Sequence, residues 1–294
     1  MSPYAGPLLT RDLINVLLAA RARGAVSVEA SFDLGRSVSQ ASLDGDGWNL
    51  HGQHYPWPLG LKDRTLYFWD GTAFAPLQRY AGSLIKLVPT VWGPPTFEID
   101  GIKMLPTAQV CPYADAQRKV ALVQPRGKQV LDTCGGLGYF AAWCLAEGAS
   151  LVTSFEKNPD VFWLRQHNPW SPEGSRGDAD GGDANSRLQL TQGDVAQAIS
   201  TLPDQSFDAA LHDPPRFAIA GELYSQAFYD QLARVLRPRG RLFHYTGTPN
   251  QKTSGRDVPG EVAARLGKAG FSTERVLDGV YAVKHADRVR AGRA

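Results

Sequence analysis

From about residue 116 onward, the sequence alternates short apolar segments with longer helical patterns. The apolar segments are "KQVLDTC", "ASLVTSFE", "RLQLTQGD", "FDAALHD" and "GRLFHYTG", and patterns such as "GYFAAWCLAEG", "PDVFWLRQHN" and "QAFYDQLARVLRP" lie between most of them. Regular alternation of strand and helix implies right-handed crossovers and a mostly parallel sheet covered on both faces. We therefore predict a doubly wound, Rossmann-like α/β domain over residues 116–294.

The first 115 residues follow a different pattern. The segment "TRDLINVLLAARARG" predicts one helix that Thr10 caps, with Leu13, Val16 and Leu17 on one face and Gly24 at its end. Short alternating segments come next, among them "VSVEASFDL", "SVSQASLDGDGWNL", "TLYFWDGTAFAPL" and "TFEIDGIKML", and "DGDG" and "WDGT" are typical of hairpin turns. These patterns predict a smaller, largely β N-terminal domain over residues 1–115.

The composition favours a soluble globular protein without a strong overall charge. The chain is 43% hydrophobic and 20% charged, and its net charge of +2 gives no global field that would steer it toward nucleic acid or an anionic membrane. Its three cysteines have neither zinc-ligand spacing nor the density of a secreted scaffold, so we expect a reducing cytoplasm and no metal. We predict no membrane segment, a surface loop over the Gly-rich residues 171–187, and a solvated basic tail at the end.

Acidic residues stand where four of the predicted strands end. These are Asp132, Glu156, Asp194 and Asp213. In an open parallel sheet, ligands bind outside the carboxyl ends of the strands, so we expect these side chains to share one site. Glycines follow the first of them in "DTCGGLGYF", where they allow close approach of a ligand to the backbone and to the amino end of the next helix.

A dinucleotide and S-adenosylmethionine both fit a glycine loop followed by a ribose-binding acid. "GLGYFA" satisfies the dinucleotide pattern G-x-G-x-x-A, so a nicotinamide enzyme is a competing interpretation. However, Asp132 would repel a pyrophosphate and would pair well with an ammonium group. S-adenosylmethionine carries an ammonium, a sulfonium, a ribose diol and an adenine amino group, and it therefore suits acidic strand ends. We predict S-adenosyl-L-methionine as the cofactor.

The sequence resembles the class I S-adenosylmethionine-dependent methyltransferases over roughly residues 118–284. The matching segments are "VLDTCGGLGYF", "FEKNP", "QGDV" and "HDPPRF". It is more closely similar to an archaeal-type family of predicted methyltransferases through "FEIDGIKM", "DTCGGLGY", "NPWS", "HDPPRF", "AGELYS" and "FHYTG". The resemblance implies the methyltransferase fold and cofactor but supplies no acceptor. The Gly-rich insertion after "NPWS" departs from the usual pattern of that family.

The D-P-P segment distinguishes this chain from two groups that it partly resembles. Amino-methyltransferases that act on bases place a stacking aromatic after the second proline, where this chain has Arg216 and has Phe217 one residue later. RNA uracil-C5 methyltransferases carry D-P-P-R but need a cysteine nucleophile downstream of it, and all three cysteines here precede Asp213. We therefore expect direct in-line methyl transfer to a small metabolite or an RNA base.

The residues expected in the site fall into three groups. Asp213 is expected to orient the attacking group or accept its proton, and Arg216 to clamp an anionic part of the acceptor, unless it merely pairs with Glu222. The cofactor-binding candidates are Asp132, Cys134, Gly135, Gly136, Gly138, Glu156, Lys157, Asp194, Val195 and Asp213. Weaker candidates for acceptor contacts are Lys86, Tyr139, Pro214, Pro215, Phe217, Tyr224, His244 and Tyr245.

Several of these residues also have ordinary structural interpretations. Cys134 fits a tight loop as a small residue, His244 is compatible with a core histidine, and Lys86 with a lysine whose stem lies along an apolar surface. Trp170 in "NPWS" could stack on a ligand or pack within a domain.

Two other functions remain open on the sequence alone. Polyamine synthases share this fold and transfer an aminopropyl group, although their glycine loop is usually a run of glycines ending in an acid. An RNA-binding module could keep the fold without the chemistry, but no interleaved basic and aromatic stripe supports that interpretation.

The acidic strand ends predict which cofactor the purified protein binds. Calorimetry should detect binding of S-adenosylmethionine and none of NAD(H), because the carboxylates attract the cationic ligand and repel the pyrophosphate. Micromolar binding of the nicotinamide cofactor without binding of S-adenosylmethionine would refute the assignment.

Overall fold

The computed structural model describes residues 6–172, 187–217, 219–247 and 257–286. The chain divides into two compact units, the first containing residues 6–115 and 163–172, and the second the remaining described residues. The sequence placed residues 163–172 in the C-terminal domain, whereas here they cluster with the first unit, so the predicted boundary at residue 115 stays a prediction. The predicted surface loop, apart from its first two residues and its last, and the end of the basic tail lie outside the described residues.

The first unit contains one complete helix and three small antiparallel sheets. Helix α1 spans Arg11–Ala22. Strand β1 precedes it, and strands β2 to β11 follow it. The sheets have the orders β1-β6-β7, β2-β3-β4-β5 and β11-β10-β9-β8. The strands are β1 (Leu8–Leu9), β2 (Ser27–Ala30), β3 (Ser39–Leu43), β4 (Gly47–Leu50), β5 (Gln53–Pro56), β6 (Tyr67–Trp69), β7 (Phe74–Pro76), β8 (Gln78–Tyr80), β9 (Leu84–Val88), β10 (Thr96–Ile99) and β11 (Ile102–Lys103).

Helix α1 begins as its sequence predicts but turns a different face inward. The Thr10 side chain accepts a hydrogen bond from the Leu13 backbone N–H at 3.0 Å, and this bond caps the first turn. Its buried residues are Ile14, Leu17 and Ala20. Val16 is 51% exposed, so its predicted place on the buried face is wrong. The buried positions recur every three residues, and this spacing rotates the apolar stripe away from Val16.

A cluster of aromatic side chains forms the centre of the first unit. Trp48 is fully buried on β4, and its ring stacks on Phe32 and on Tyr55 with centroids 5.0 and 4.7 Å apart. Phe74 on β7 lies 6.2 Å from the same ring. Large aromatic surfaces contribute most of the burial in a small core, so these rings hold sheets together that are individually too short to be stable.

The second unit is a seven-stranded sheet with the order β14-β13-β12-β15-β16-β18-β17. The first five strands in that order run parallel, β18 runs antiparallel to β16, and β17 runs antiparallel to β18. This is the mixed, mostly parallel α/β sheet that the sequence predicts. Its strands are β12 (Gln129–Asp132), β13 (Leu151–Glu156), β14 (Leu188–Gln192), β15 (Phe207–His212), β16 (Leu236–Tyr245), β17 (Phe271–Val276) and β18 (Gly279–Lys284).

Helices alternate with these strands. They are α2 (Pro112–Val123), α3 (Tyr139–Ala146), α4 (Pro159–Gln166), α5 (Val195–Ala198), α6 (Gln226–Val235) and α7 (Val258–Lys268), with 3-10 helices at Ile199–Thr201 and Gly221–Tyr224. Helix α6 ends at Val235 and β16 begins at the next residue, so the predicted extension of that helix to Pro238 is wrong. No helix of the described residues is long and apolar enough to cross a membrane.

Candidate active site

Four carboxylates lie at the carboxyl ends of four neighbouring strands. Asp132 is the last residue of β12 and Glu156 the last of β13. Asp213 directly follows β15, and Asp194 comes two residues after the end of β14. The strand order β14-β13-β12-β15 places these ends side by side at one edge of the sheet. The structure thus brings together the acids that the sequence singles out.

Glu156 fastens the glycine loop to the sheet. Its Oε2 accepts a hydrogen bond from the Gly136 N–H at 2.8 Å, and its Oε1 accepts one from the Asn158 N–H at 2.8 Å. Gly136 and Gly138 adopt φ values of 50° and 80°, a left-handed conformation that glycine reaches without strain. The loop therefore turns sharply beside the Glu156 carboxylate.

Asp132 is fully buried at the base of the same loop. Its Oδ2 accepts a hydrogen bond from the Ser154 hydroxyl at 2.8 Å, and Ser154 is itself fully buried on β13. The Gly135 N–H donates to the Phe155 carbonyl at 2.7 Å. These bonds connect β12, β13 and the loop, so the Asp132 carboxylate is held by the fold itself.

Asp194 has a structural role at the start of helix α5. Its side chain accepts a hydrogen bond from the Ala196 N–H, and its Oδ2 lies 2.8 Å from Lys157 Nζ. Burial of the Asp194 carboxylate raises its pKa, but the hydrogen bonds to Lys157 and Ala196 outweigh this and lower the pKa overall. Lys157 is 67% exposed, and its pKa is raised by the same contact. Val195, the other candidate here, is buried as the first residue of α5.

The pKa of the Cys134 thiol is affected by the carboxylates at this edge of the sheet. Burial raises its pKa well above the usual range, and the carboxylates of Glu156, Asp213 and Asp132 raise it further, against a lowering hydrogen bond with Thr133. Three of the four acids thus act on one partly buried thiol, which places it in a negative potential. A thiol in this setting stays protonated, and this agrees with its interpretation as a small loop residue.

The D-P-P segment forms a turn above the end of β15. Arg216 accepts hydrogen bonds at its carbonyl from the N–H groups of Ile219 and Ala220, at 2.7 and 3.2 Å. The Tyr224 hydroxyl donates to the Pro215 carbonyl at 3.1 Å. Pro214 is buried, whereas Pro215 and Arg216 are exposed. The Arg216 guanidinium has no hydrogen bond or ion pair with any residue that the structure describes, and the pairing with Glu222 is not seen.

Two aromatic side chains, Phe217 and Tyr224, pack against each other close to Asp213 in the chain. Phe217 is 37% exposed, and its ring meets that of Tyr224 edge-on at 5.5 Å. Burial raises the pKa of Tyr224, and the charges of Asp213, Cys134 and Tyr245 raise it further. Tyr224 therefore stays protonated and lies within electrostatic reach of both Asp213 and the loop cysteine.

Two buried histidines lie beneath this turn. Because His212 Nε2 lies 3.1 Å from the Leu223 carbonyl, that nitrogen carries the proton, and Nδ1 accepts from the Thr133 hydroxyl at 2.6 Å. His244 Nδ1 likewise faces the Tyr245 carbonyl at 2.8 Å, so its Nε2 accepts from the Tyr229 hydroxyl at 2.9 Å. No motif in the sequence marks this network, although the histidine of "LHDPP" directly precedes Asp213.

The structure places the remaining candidates as follows. Tyr139 is buried at the first turn of α3, and His244 is fully buried. Lys119 Nζ lies 4.3 Å from the centre of the Tyr245 ring and 3.0 Å from Asp278 Oδ2. Lys119 is nearly fully buried, and no sequence signal marked it because it lies in an ordinary polar stretch of α2.

Two further candidates belong to the first unit. Lys86 on β9 lies with its Nζ 3.4 Å from Oε2 of the buried Glu98, which also pairs with Arg64. The Trp170 indole N–H donates to the Leu34 carbonyl at 3.1 Å, and its ring packs against Tyr113 at 5.1 Å. Both side chains thus have structural contacts within their own unit. No group of three or more potential metal ligands occurs among the residues described.

The fold of the chain is similar to that of solved spermidine synthases. A spermidine synthase solved in complex with the transition-state analogue AdoDATO has a TM-score of 0.53 with this chain at 16% identity, and the match covers 77% of this chain and 82% of that one. The fold is therefore spermidine-synthase-like. A family model described as S-adenosyl-L-methionine-dependent methyltransferase matches residues 168–257.

Sequence relatives show the family to which the chain belongs. An uncharacterized protein of Methanocaldococcus jannaschii is 45% identical over 206 residues, which cover 69% of this chain and 67% of that protein. The chain belongs to the same family as this archaeal protein, within the S-adenosyl-L-methionine-dependent methyltransferase superfamily. Polyamine aminopropyltransferase 2 of Streptomyces coelicolor is 31% identical over 141 residues, covering 46% of this chain and 24% of that protein.

Replacing Glu156 tests its part in the site. We expect Glu156→Ala to weaken binding of S-adenosylmethionine by about 1.5 to 3 kcal/mol, because charge-assisted hydrogen bonds to the ribose would be lost from a partly buried position. Calorimetry measures the change. Glu274→Ala, which removes an exposed carboxylate from β17, should leave the affinity unchanged. An unaltered dissociation constant for Glu156→Ala would remove Glu156 from the site.

The buried histidines predict how stability depends on pH. Burial lowers the pKa of His244 from 6.5 to about 4, and burial together with His244 lowers that of His212 well below its usual value. The unfolded chain therefore takes up protons first, and the melting temperature should fall as the pH drops from 6.5 toward 4. His244→Gln should flatten this slope, whereas replacing the exposed His51 with Gln should not. Equal slopes in all three proteins would contradict the assignment.

Proposed function

We propose that the protein transfers a methyl group from S-adenosylmethionine directly to a nucleophile on a small-molecule or RNA acceptor. The observation that carries the proposal is the row of carboxylates Asp132, Glu156, Asp194 and Asp213 at the carboxyl ends of adjacent strands. The motif-level resemblance of "DTCGGLGY", "HDPPRF" and "FHYTG" to archaeal-type predicted methyltransferases supports the same proposal.

The site fits a cationic nucleoside. The carboxylates of Glu156, Asp213 and Asp132 together raise the pKa of the Cys134 thiol, so the space beside the glycine loop has a negative potential. Such a potential stabilises an ammonium or a sulfonium and disfavours a pyrophosphate. S-adenosylmethionine, when bound, supplies an electrophilic methyl group on its sulfonium.

The residues of the glycine loop and the strand ends would hold that molecule. We assign the ribose hydroxyls to Glu156, whose carboxylate is already oriented by two backbone N–H groups, and the ammonium group to the side of Asp132. Asp194, with Lys157 beside it, would border the adenine. Positioning and electrostatics of this kind account for most of the rate that a direct transfer requires.

The turn after β15 would act on the acceptor. Asp213 would orient the attacking group or accept its proton, and the protonated Tyr224 beside it cannot serve as a base. Arg216 is exposed and its guanidinium has no partner among the described residues, so it is available to clamp an anionic part of the acceptor. Phe217, partly exposed on the same turn, offers an apolar surface next to it.

Aminopropyl transfer is the second candidate. The similarity to a polyamine aminopropyltransferase and to a spermidine synthase favours it, because those proteins use the same fold for that chemistry. A polyamine acceptor is strongly cationic, however, and an unneutralised guanidinium at Arg216 would repel it. The Arg216 guanidinium therefore favours an acceptor that has an anionic part, whereas the Asp213 carboxylate beside it would suit a cationic acceptor equally well, so the by-product has to decide between the two reactions.

The by-product distinguishes the two reactions and tests the role of Asp213. Methyl transfer leaves S-adenosylhomocysteine, whereas aminopropyl transfer from decarboxylated S-adenosylmethionine leaves methylthioadenosine. With an extract of cells that lack the protein as the source of acceptor, we expect S-adenosylhomocysteine. Asp213→Asn should slow its formation about a hundredfold if the carboxylate takes a proton, with little change in cofactor affinity.

Controls for this assay come from the same unit. Asp204→Asn alters an exposed carboxylate that pairs with Arg234 and should retain the full rate. Arg216→Lys keeps the charge but loses the two-pronged hydrogen bond, so it should raise the KM for the acceptor. Formation of methylthioadenosine alone would favour aminopropyl transfer. Loss of S-adenosylmethionine binding in Asp213→Asn, with a normal rate, would make the turn part of the cofactor site.

A further inference from the structure

A group of basic side chains lies at the opposite edge of the seven-stranded sheet. Lys128 directly precedes β12, and Arg237 and Arg241 lie on β16. Lys284 is the last residue of β18, which runs antiparallel to β16 and therefore ends where the parallel strands begin. We refer to Lys128, Arg237, Arg241 and Lys284 as the basic edge.

The strand register brings these residues close together. Arg241 pairs with Val283 on β18, so it is a neighbour of Lys284. Lys284 Nζ donates a hydrogen bond to the Leu236 carbonyl at 2.8 Å, next to Arg237. The charges of Arg241 and Asp208 both act on Lys128. The basic edge is thus one continuous group and not four separate surface residues.

One carboxylate contacts this group and neutralises only part of its charge. Asp208 Oδ1 lies 2.7 Å from Arg237 Nη1, and Asp208 Oδ2 accepts the Gln129 N–H at 2.9 Å. Both oxygens of Asp208 therefore have a partner. Lys128 and Lys284 donate to backbone carbonyls, which orient the ammonium groups but cancel no charge. One carboxylate among four cations leaves the group with an excess of positive charge.

Arg241 is the residue of the basic edge that points most directly to a ligand. Its side chain is half-buried and its Nη1 is shielded from solvent, yet no hydrogen bond or ion pair reaches its guanidinium from any residue described. Leaving a buried charged donor unpaired is costly, so such groups usually meet an ion or water. Burial lowers the pKa of Lys128, and the positive charge of Arg241 lowers it further against an opposing effect of Asp208.

We propose that the basic edge binds a phosphate group, with the Arg241 guanidinium as its principal ligand. A guanidinium donates two parallel hydrogen bonds to phosphate oxygens, and half-buried lysines on either side supply the remaining charge. The phosphate can belong to a free metabolite or to the backbone of RNA, and the two sources present the same chemistry to Arg241. This site lies across the sheet from the proposed cofactor site and does not depend on it.

Calorimetry with pyrophosphate and with a single-stranded RNA oligonucleotide tests the proposal on the full-length protein. We expect at least one probe to bind, more weakly as salt is added, because phosphate contacts are screened and release counterions. Arg241→Gln should weaken that binding by about tenfold or more, since it removes a charged bidentate donor. If pyrophosphate binds, a free phosphate compound is sufficient as the ligand. If only the RNA binds, the ligand is the phosphate backbone of the polymer.

Matched variants separate this effect from general loss of charge or of structure. Lys268→Gln removes one exposed cation from α7 in the same unit and should change the affinity less than twofold. The affinity for S-adenosylmethionine should stay unchanged in Arg241→Gln. If the Arg241→Gln variant does not fold, Lys284→Gln provides a second test of the same site. The proposal fails if neither probe binds the unaltered protein, or if binding survives both Arg241→Gln and Lys284→Gln.

Discussion

Five neighbouring strands run parallel, and this single constraint brings their carboxyl ends to one edge of the sheet. Four of these ends carry an acid, so the chain concentrates negative charge where a doubly wound sheet binds its ligand. Like charges held this closely are unfavourable on their own. Hydrogen bonds from Gly136, Asn158 and Ser154 to the carboxylates offset part of that cost and fix their geometry.

The parallel sheet also separates charge between its two edges. The carboxyl edge carries Asp132, Glu156 and Asp213, whereas the opposite edge carries Lys128, Arg237, Arg241 and Lys284. A net charge of +2 for the chain conceals this division. We infer that the domain has two separate sites, one for a cationic nucleoside and one for a phosphate, and that the two ligands do not compete.

The sequence predicts the parallel part of the sheet well because the central strands β12 and β15 are largely buried and appear as apolar runs. It does not reveal β17, where four consecutive side chains of Phe271–Val276 are exposed, nor β8, whose three residues are all exposed. On α1, Ile14 is buried and Val16 is not, although both are β-branched and apolar. Only the packing of the helix decides between them.

The residues of the site also differ in whether the sequence alone could predict them. Acids and glycines at strand ends are local signals, so their positions could be predicted from the sequence. The His212 and His244 network and the Lys119–Asp278 pair join segments that are distant in the chain, and no motif marks them. His244, proposed from the sequence as an acceptor contact, is fully buried with both ring nitrogens bonded, because its strand turns that side chain toward Tyr229.

A crystal structure of the protein with S-adenosylmethionine would show whether the acidic strand ends bind this cofactor. We expect the ligand at the carboxyl ends of β12, β13 and β15, with its ribose hydroxyls on Glu156, its ammonium group on the side of Asp132, and its methyl group toward Asp213. A ligand bound elsewhere on the sheet, or one whose ribose makes no contact with Glu156, would contradict it.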